Sequence, residues 1–287
     1  MLEFDLKNYN LFGKIKSVDN KTFYTNNNNE IAREKFAVLS WKFNEFGFIT
    51  HSKSVEYSGL IYSNYIFEYN EKNQCIERQF IYKDKISSRD IFKYDINGRV
   101  IEKAYVREPD YVVSREEMIY DTVNNTETII FYSSSGKIIK KEISHYNIKR
   151  ELKLFEVVEN NKVTSSYNYF YPDELTKSVF HFEANKILSK KSKVVYDKYG
   201  NLVEEFEFST DNKETRYRFQ QNKYNEANQL IEELSGNRIE PIHWKRVYKY
   251  DTFGNKIVEE KYLPNKKKLP EIELFLDSVI ETEIEYY

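Results

Sequence analysis

Cysteine is almost missing from this chain, with Cys75 alone among 287 residues. A single thiol excludes an intramolecular disulfide and a multi-thiol zinc site. Glycine and proline are scarce, at 8 and 5, which excludes collagen-like or low-complexity character. No apolar run approaches the roughly 18 residues that a membrane helix needs. Met1-Leu2-Glu3-Phe4-Asp5 also lacks the basic-then-apolar order of a signal peptide. An excess of one charge is absent too, since 44 basic residues meet 46 acidic ones for a net charge of −2. Nucleic-acid binding demands a basic stripe, so the balance gives no reason to expect it, nor an anionic membrane. The expectation is a cytoplasmic chain that does not insert into membranes, or an exported one if a leader has been removed.

What is abundant is aromatic: 16% of residues, with 25 Tyr and 20 Phe against 2 Trp and 2 Met. Tyr and Phe suit half-buried pleated surfaces, which points to strands. The length allows one long repeat array or two ordinary domains, and the spacing of the aromatics favours the array. Ten anchors recur: Tyr9, Phe43, Tyr69, Tyr94, Tyr120, Tyr146, Tyr171, Tyr196, Tyr224 and Tyr250. Successive steps are 34, 26, 25, 26, 26, 25, 25, 28 and 26 residues, a period within the range of repeat architectures. The long first step reflects an insertion near 25–31, around Thr25-Asn26-Asn27-Asn28-Asn29, and a C-terminal cap carries another at 263–271. One unbroken array over residues 1–287 is expected.

Each column of the repeat has a physical reason. Asp or Asn follows the anchor in nine of ten units, Pro172 being the exception, and both residues favour the first position of a type I turn. Four residues after the anchor comes Gly13, Gly47, Gly98, Gly200 or Gly254, or else Asn73, Asn124 or Asn228. These residue types tolerate the left-handed backbone best. A type I turn followed by a left-handed residue is the three-residue hairpin loop with a bulge. That loop pairs the anchor with the residue six further on: Ile15, Ile49, Cys75, Val100, Leu152, Leu202 and Leu230, with Thr126, Lys177 and Lys256 as misfits. Aromatic-aliphatic pairs of this kind are favourable across strands.

A looser turn falls midway through each period, at Lys83-Asp84-Lys85, Glu108-Pro109-Asp110, Ser133 to Gly136, Glu159 to Lys162, Glu183 to Lys186, Ser209 to Lys213 and Ser235 to Arg238. Two strands per period give about twenty strands in a meander, without helical periodicity beyond two turns. The expected fold is all-β: about ten antiparallel hairpin repeats forming one curled or spiral sheet.

Tyr94 to Val100, Tyr196 to Leu202 and Tyr248 to Lys256 resemble the YD or RHS repeat, Tyr-Asp-x-x-Gly-(Asn/Arg)-Leu with a Tyr-x-Tyr strand. The resemblance spans nearly the whole chain. It implies a hairpin array in a curling sheet, and it carries the family's attribution of carbohydrate binding. The period here is longer than the family's, and the self-cleaving core and toxin tail of its large members are absent. Neither cargo-wrapping nor autoproteolysis is therefore carried over. The chain also looks like small bacterial proteins made only of such repeats.

A search for chemistry leaves little. His51, His145, His181 and His243 stand at unequal offsets from their anchors, without metal-ligand spacing. Cys75 occupies a column that elsewhere holds aliphatics, so it reads as a small buried hydrophobe. Glu204-Glu205, Glu232-Glu233 and Glu259-Glu260 are adjacent on strands, so the members of each pair face opposite ways. No phosphate loop or nucleophile elbow is present, and Lys266-Lys267-Lys268 reads as a solvated loop. The expectations are no catalytic residue, no metal and no cofactor. Tyr57, Tyr62, Tyr65, Tyr105, Tyr111 and Tyr217 lie off the anchor columns and suit an interface or sugar stacking. The expected function is a non-enzymatic scaffold binding another protein, with immunity-type inhibition of a bacterial toxin as one form. The alternative is an exported, envelope-associated or carbohydrate-binding repeat protein.

Overall fold

The computed structural model describes Leu6 and residues 11–26, 30–208, 210, 216–237, 242–264 and 274–287. Tyr9, Tyr217, Lys266-Lys267-Lys268 and most of the turn at Ser209 to Lys213 fall outside the described residues or side chains. The chain forms twenty strands in sequence order. They are β1 (Ile15–Thr25), β2 (Ile31–Phe43), β3 (Ile49–Val55), β4 (Ile61–Tyr69), β5 (Cys75–Tyr82), β6 (Lys85–Tyr94) and β7 (Val100–Arg107). Next come β8 (Tyr111–Asp121), β9 (Thr126–Ser133), β10 (Ile138–Tyr146), β11 (Leu152–Glu159), β12 (Lys162–Asp173), β13 (Thr176–Glu183) and β14 (Ile187–Tyr196). The series ends with β15 (Leu202–Phe208), β16 (Arg216–Tyr224), β17 (Leu230–Asn237), β18 (Trp244–Tyr250), β19 (Lys256–Pro264) and β20 (Leu274–Tyr286).

Every strand pairs antiparallel with its neighbours in sequence, as expected of a meander. The sheet does not stay open, however. β20 pairs with β1 from Tyr286↔Ile15 to Ser278↔Tyr24, so the twenty strands close into a barrel. The expectation of a curled or spiral open sheet is corrected to this closed ring. Strand tilt is the physical reason. Paired residues lead from Lys42 to His51, Ile66, Gln79, Arg89, Val106 and Val112. That path starts one residue above anchor Phe43, passes three above Tyr69 and five above Tyr94, and reaches the far rim at β8. A climb of two residues per two strands is a tilt of about 35°, the range in which barrels close. Twenty strands at that tilt correspond to a ring of roughly 35–40 Å backbone diameter.

One rim carries the anchor turns. The pairs Phe43↔Ile49, Tyr69↔Cys75, Tyr94↔Val100, Tyr146↔Leu152, Tyr196↔Leu202, Tyr224↔Leu230 and Tyr250↔Lys256 all stand in the register that the turn chemistry requires. Asp95 shows how the turn closes. Its carboxylate accepts from the backbone N–H groups of Asn97 and Arg99, both at 2.9 Å, while Gly98 N–H donates to its carbonyl. Gly98, Gly200 and Gly254 have φ of +78°, +84° and +91°. Two units depart from the expected register. In the Tyr120 unit Asp121 pairs with Thr126, so Tyr120 faces Glu127, and the left-handed residue is Asn125 (φ 50°) rather than Asn124. In the Tyr171 unit Pro172 breaks the pattern and β12 runs on to Asp173, which pairs with Thr176. Arg150 takes the left-handed position of the Tyr146 unit, at φ 62°.

The opposite rim carries the midway turns. Lys83-Asp84 and Asn160-Asn161 are two-residue turns with both residues left-handed, as the right-handed twist of hairpins favours. Ser235-Gly236-Asn237, expected as a turn, instead lies within β17. The insertion near 25–31 extends the β1–β2 hairpin, whose loop closes through Asn26 N–H on the Glu30 carbonyl.

Consecutive hairpins are tied by the anchor tyrosines. Six hydroxyls reach back to a backbone carbonyl of the preceding hairpin: Tyr69 to Ile49 (2.7 Å), Tyr94 to Cys75 (2.7 Å), Tyr120 to Val100 (2.9 Å), Tyr171 to Leu152 (3.0 Å), Tyr224 to Leu202 (2.9 Å) and Tyr250 to Leu230 (2.7 Å). Tyr146 donates to the Glu127 carboxylate instead, at 3.1 Å. The ring thereby satisfies phenol hydroxyls that would otherwise be costly to bury. Ile15, Val18, Phe43, Ile49, Phe67, Cys75 and Phe92 are buried together on the same face.

The tenth hairpin is assembled without a covalent link. Ile15, expected to pair with anchor Tyr9, instead faces Tyr286, which takes the anchor's place, and Tyr287 N–H donates to the Lys14 carbonyl at 2.8 Å, as Asp251 N–H does to Asn255. Leu11-Phe12-Gly13 thus completes a turn that Tyr286-Tyr287 begins. Asn255, fully buried, locks the seam. Its side chain accepts from Phe12 N–H (2.5 Å) and donates to the Phe12 carbonyl and the Tyr286 hydroxyl, both at 2.9 Å.

Candidate functional site

The anchor face is the inner one. Val18, Asn20, Trp41 and Thr282 line one cavity of about 790 Å³ together with Tyr224, Tyr248 and Tyr250, from the far side of the seam. Only a concave face brings such distant strands together. Asn228, Gln229, Leu11 and Phe12 complete its wall at the anchor rim. Nearby, the inner members of two Glu pairs converge: Glu233 and Glu259 both approach the Arg246 guanidinium at 3.4 Å. Trp244 packs on that guanidinium at 4.6 Å. The Tyr248 hydroxyl donates to Glu233 at 2.8 Å, and burial together with that carboxylate raises its pKa. The outer members have their own cations, Glu232 with Lys223 and Lys245 and Glu260 with Lys249. Alternation on a strand separates the members of each pair, but it did not reveal that Glu233 and Glu259 share Arg246.

The four histidines stand apart, each engaged locally. His51 Nε2 lies 2.6 Å from Asn64 Oδ1, His145 3.1 Å from Glu156, and His243 2.7 Å from Asn237. His181 stacks on Tyr167 at 4.2 Å, with Ser165 and Ser189 hydroxyls at 2.9 and 2.7 Å from its two ring nitrogens. Among the described residues no group of three or more His, Cys, Asp or Glu is placed to hold a metal ion. Burial raises the Cys75 thiol pKa to about 12, so it is protonated at neutral pH.

The midway rim gathers exposed aromatics. Three successive turns, β3–β4, β5–β6 and β7–β8, present Tyr57, Leu60, Ile61, Tyr62, Tyr82 and Tyr111, between 48% and 72% exposed. A cleft of about 340 Å³ opens between Leu60–Asn64 and Phe80–Asp84. The turns under it are defined: Gly59 adopts φ +83°, and Arg89 ties the third turn to the sheet through Glu108 (3.0 Å) and Asp110 (2.6 Å). Burial opposes the Arg89 charge, but Asp110, Glu108 and Glu77 outweigh it and raise its pKa. Of the tyrosines singled out in the sequence, Tyr57, Tyr62 and Tyr111 belong to this surface. Tyr65 lies on the inner face against Phe80 (5.3 Å) and under Arg78, and Tyr105 stands beside Asp90 on the same face.

The anchor rim shows another regularity. Eight of its ten turns carry a large apolar residue at the tip: Phe12, Phe46, Ile96, Val123, Ile148, Leu175, Tyr199 and Phe253, from 43% to 95% exposed. The column is not legible from turn chemistry, which constrains the Asp/Asn and Gly/Asn positions on either side of it and leaves the tip residue free. Its signal was an apolar residue two to three places after most anchors.

No protein-family model matches the chain, and no curated protein matches it. Among solved structures it is similar to a porin-like protein from Bacteroides uniformis, at 9% identity and a TM-score of 0.41, over 94% of this chain and 96% of that one. It is also similar to TcdB2-TccC3, at 9% identity and a TM-score of 0.34, over 87% of this chain and 17% of that one. At these scores neither likeness carries a functional argument.

Proposed function

We propose that the protein is a non-enzymatic binding scaffold of the YD/RHS-like kind that docks another protein on its midway rim. The observation that carries the reading is the 340 Å³ cleft lined by the exposed Leu60, Ile61, Tyr62 and Tyr82, with Tyr57 and Tyr111 exposed on the same and a neighbouring turn of that rim. Exposed tyrosines beside a pocket are the composition of interface hot spots, and the cleft suits one protruding apolar side chain of the partner. Inhibition of a bacterial toxin in the cytoplasm is one role for such a surface. The family reading rests on the Tyr-Asp turns and their anchor register. The outer face argues against membrane insertion. It carries ion pairs such as Lys21–Glu283 and Lys249–Glu260, each with one well-exposed partner, whereas a membrane barrel presents an apolar band.

The test is capture from the source cell with the wild-type protein and with a Tyr62→Lys/Tyr82→Lys double variant, followed by direct titration of the captured protein. Loss of affinity by tenfold or more with an unchanged melt supports the reading. Equal affinity for both proteins overturns it. A second reading has its own observation: the inner cavity is lined by Trp41, Tyr224, Tyr248 and Tyr250 with Asn20, Asn228 and Gln229, a mixture of stacking rings and amides suited to sugars. Oligosaccharide binding lost in Trp41→Ala while protein capture persists favours that reading.

A further inference from the structure

Turn tips are normally polar, because a residue that projects into water gains nothing from being apolar. Here Ile96, Val123 and Ile148 are 89%, 87% and 95% exposed, so folding does not account for them. They recur with the period of the barrel and all project from one rim. We propose that this anchor rim is the contact surface between two copies of the chain, set rim against rim on a shared axis.

Three observations select a second copy as the occupant. The first is pitch. Neighbouring tips are two strands apart, about 12 Å along a ring of this tilt, and a second copy of the rim carries the same spacing, so its tips fit between them. A two-fold contact of this kind is self-complementary, the commonest arrangement among homo-oligomers. The second is area. Six of the eight tips, leaving out Phe12 and Phe253, which line the inner cavity, cover roughly 100 Å² each and supply about 600 Å² per copy, the lower end of a standard stable interface. The third is charge. The turns carry more acid than base, with Glu45, Glu71, Asp173, Glu174 and Glu226 among them. That balance disfavours an anionic bilayer; between two copies the net like charge is a cost, offset where Lys72, Lys149 and Lys198 stand opposite acidic residues of the partner rim. The contact uses the rim opposite the proposed docking cleft, so the two readings stand or fall separately.

Sedimentation equilibrium of the whole protein across a hundredfold range of concentration tests this. Twice the chain mass at the upper end is expected. An Ile96→Lys/Ile148→Lys variant is expected to raise the dimer dissociation constant at least tenfold with an unchanged thermal melt, while Tyr82→Lys on the other rim leaves it unchanged. A monomer at every concentration, or a dimer indifferent to the tip variant, overturns the proposal. So does a monomer that co-sediments with phosphatidylcholine–phosphatidylserine vesicles through these tips, which would make the rim a membrane contact.

Discussion

At Gly200 a side chain would meet nothing within 4 Å, yet the backbone stands at φ +84°. Substitution there isolates backbone strain from packing. Gly200→Val is expected to cost about 1–3 kcal/mol, and Gly200→Asn less than about 1 kcal/mol, because Asn73 and Asn228 already hold the same place with positive φ. Urea titrations of the two variants check the difference. A second prediction concerns alkaline pH. Burial raises Cys75 from 9.0 to about 12 and Tyr94 from 10.0 to about 12. Both groups hold their protons more tightly when folded, so their contribution is fully present below pH 9. It is lost as pH rises from about 9 to 12, where the unfolded chain releases protons first. Melting temperature against pH should fall across that window, and the fall should begin at higher pH in Cys75→Ala. In the native state the thiol is expected to react with a disulfide reagent at pH 8 far more slowly than in urea.

Among the hairpins, an anchor tyrosine such as Tyr94 does two things: its ring packs within one hairpin and its hydroxyl bonds the one before. The contributions separate by substitution. Tyr94→Phe removes the bond to the Cys75 carbonyl and is expected to cost about 1 kcal/mol, while Tyr94→Ala also empties the ring's place and is expected to cost about 3–5 kcal/mol. In an open array an end anchor would cost less than an internal one, having a single neighbour. The closed ring has no end. Tyr286, which faces Ile15 and bonds the Asp251 carboxylate at 2.7 Å, is therefore expected to cost as much as Tyr94 when changed to Ala. Equilibrium denaturation of the two Ala variants side by side decides this, and a much smaller loss at Tyr286 would show that the seam contributes little.

For the whole molecule, closure depends on a seam of side-chain and backbone hydrogen bonds instead of a covalent turn. Asn255→Ala leaves Phe12 N–H and the Phe12 carbonyl without their partner and is expected to cost about 2–4 kcal/mol, with hydrogen exchange rising first in β1 and β20. A permuted chain that joins Tyr287 to Leu11 and opens in the Asn26–Glu30 loop would restore the tenth turn covalently. The linkage removes freedom from the unfolded state, but it also removes Leu6, whose N–H donates to the Gly47 carbonyl and whose side chain packs on the core. The permuted chain is therefore expected to melt at or above a linear chain that starts at Leu11.

What the sequence determined by itself was local. The Tyr-Asp-x-x-Gly spacing sets the turn, the turn sets the register, and alternation then assigns each residue to a face. The departures at Tyr120 and Tyr171 are local as well, one from an Asn-Asn pair and the other from Pro172. Tertiary structure decided what accumulates over many strands. A tilt of two residues per hairpin is invisible in any single repeat, yet it returns β20 to β1 and makes a ring where a spiral was expected. It also decided which glutamates meet at Arg246, which tyrosines gather at the midway rim, and that Tyr286 stands at the seam as the tenth anchor. Turn chemistry acts within a few residues, whereas closure depends on twist and tilt summed around twenty strands, which no single repeat contains.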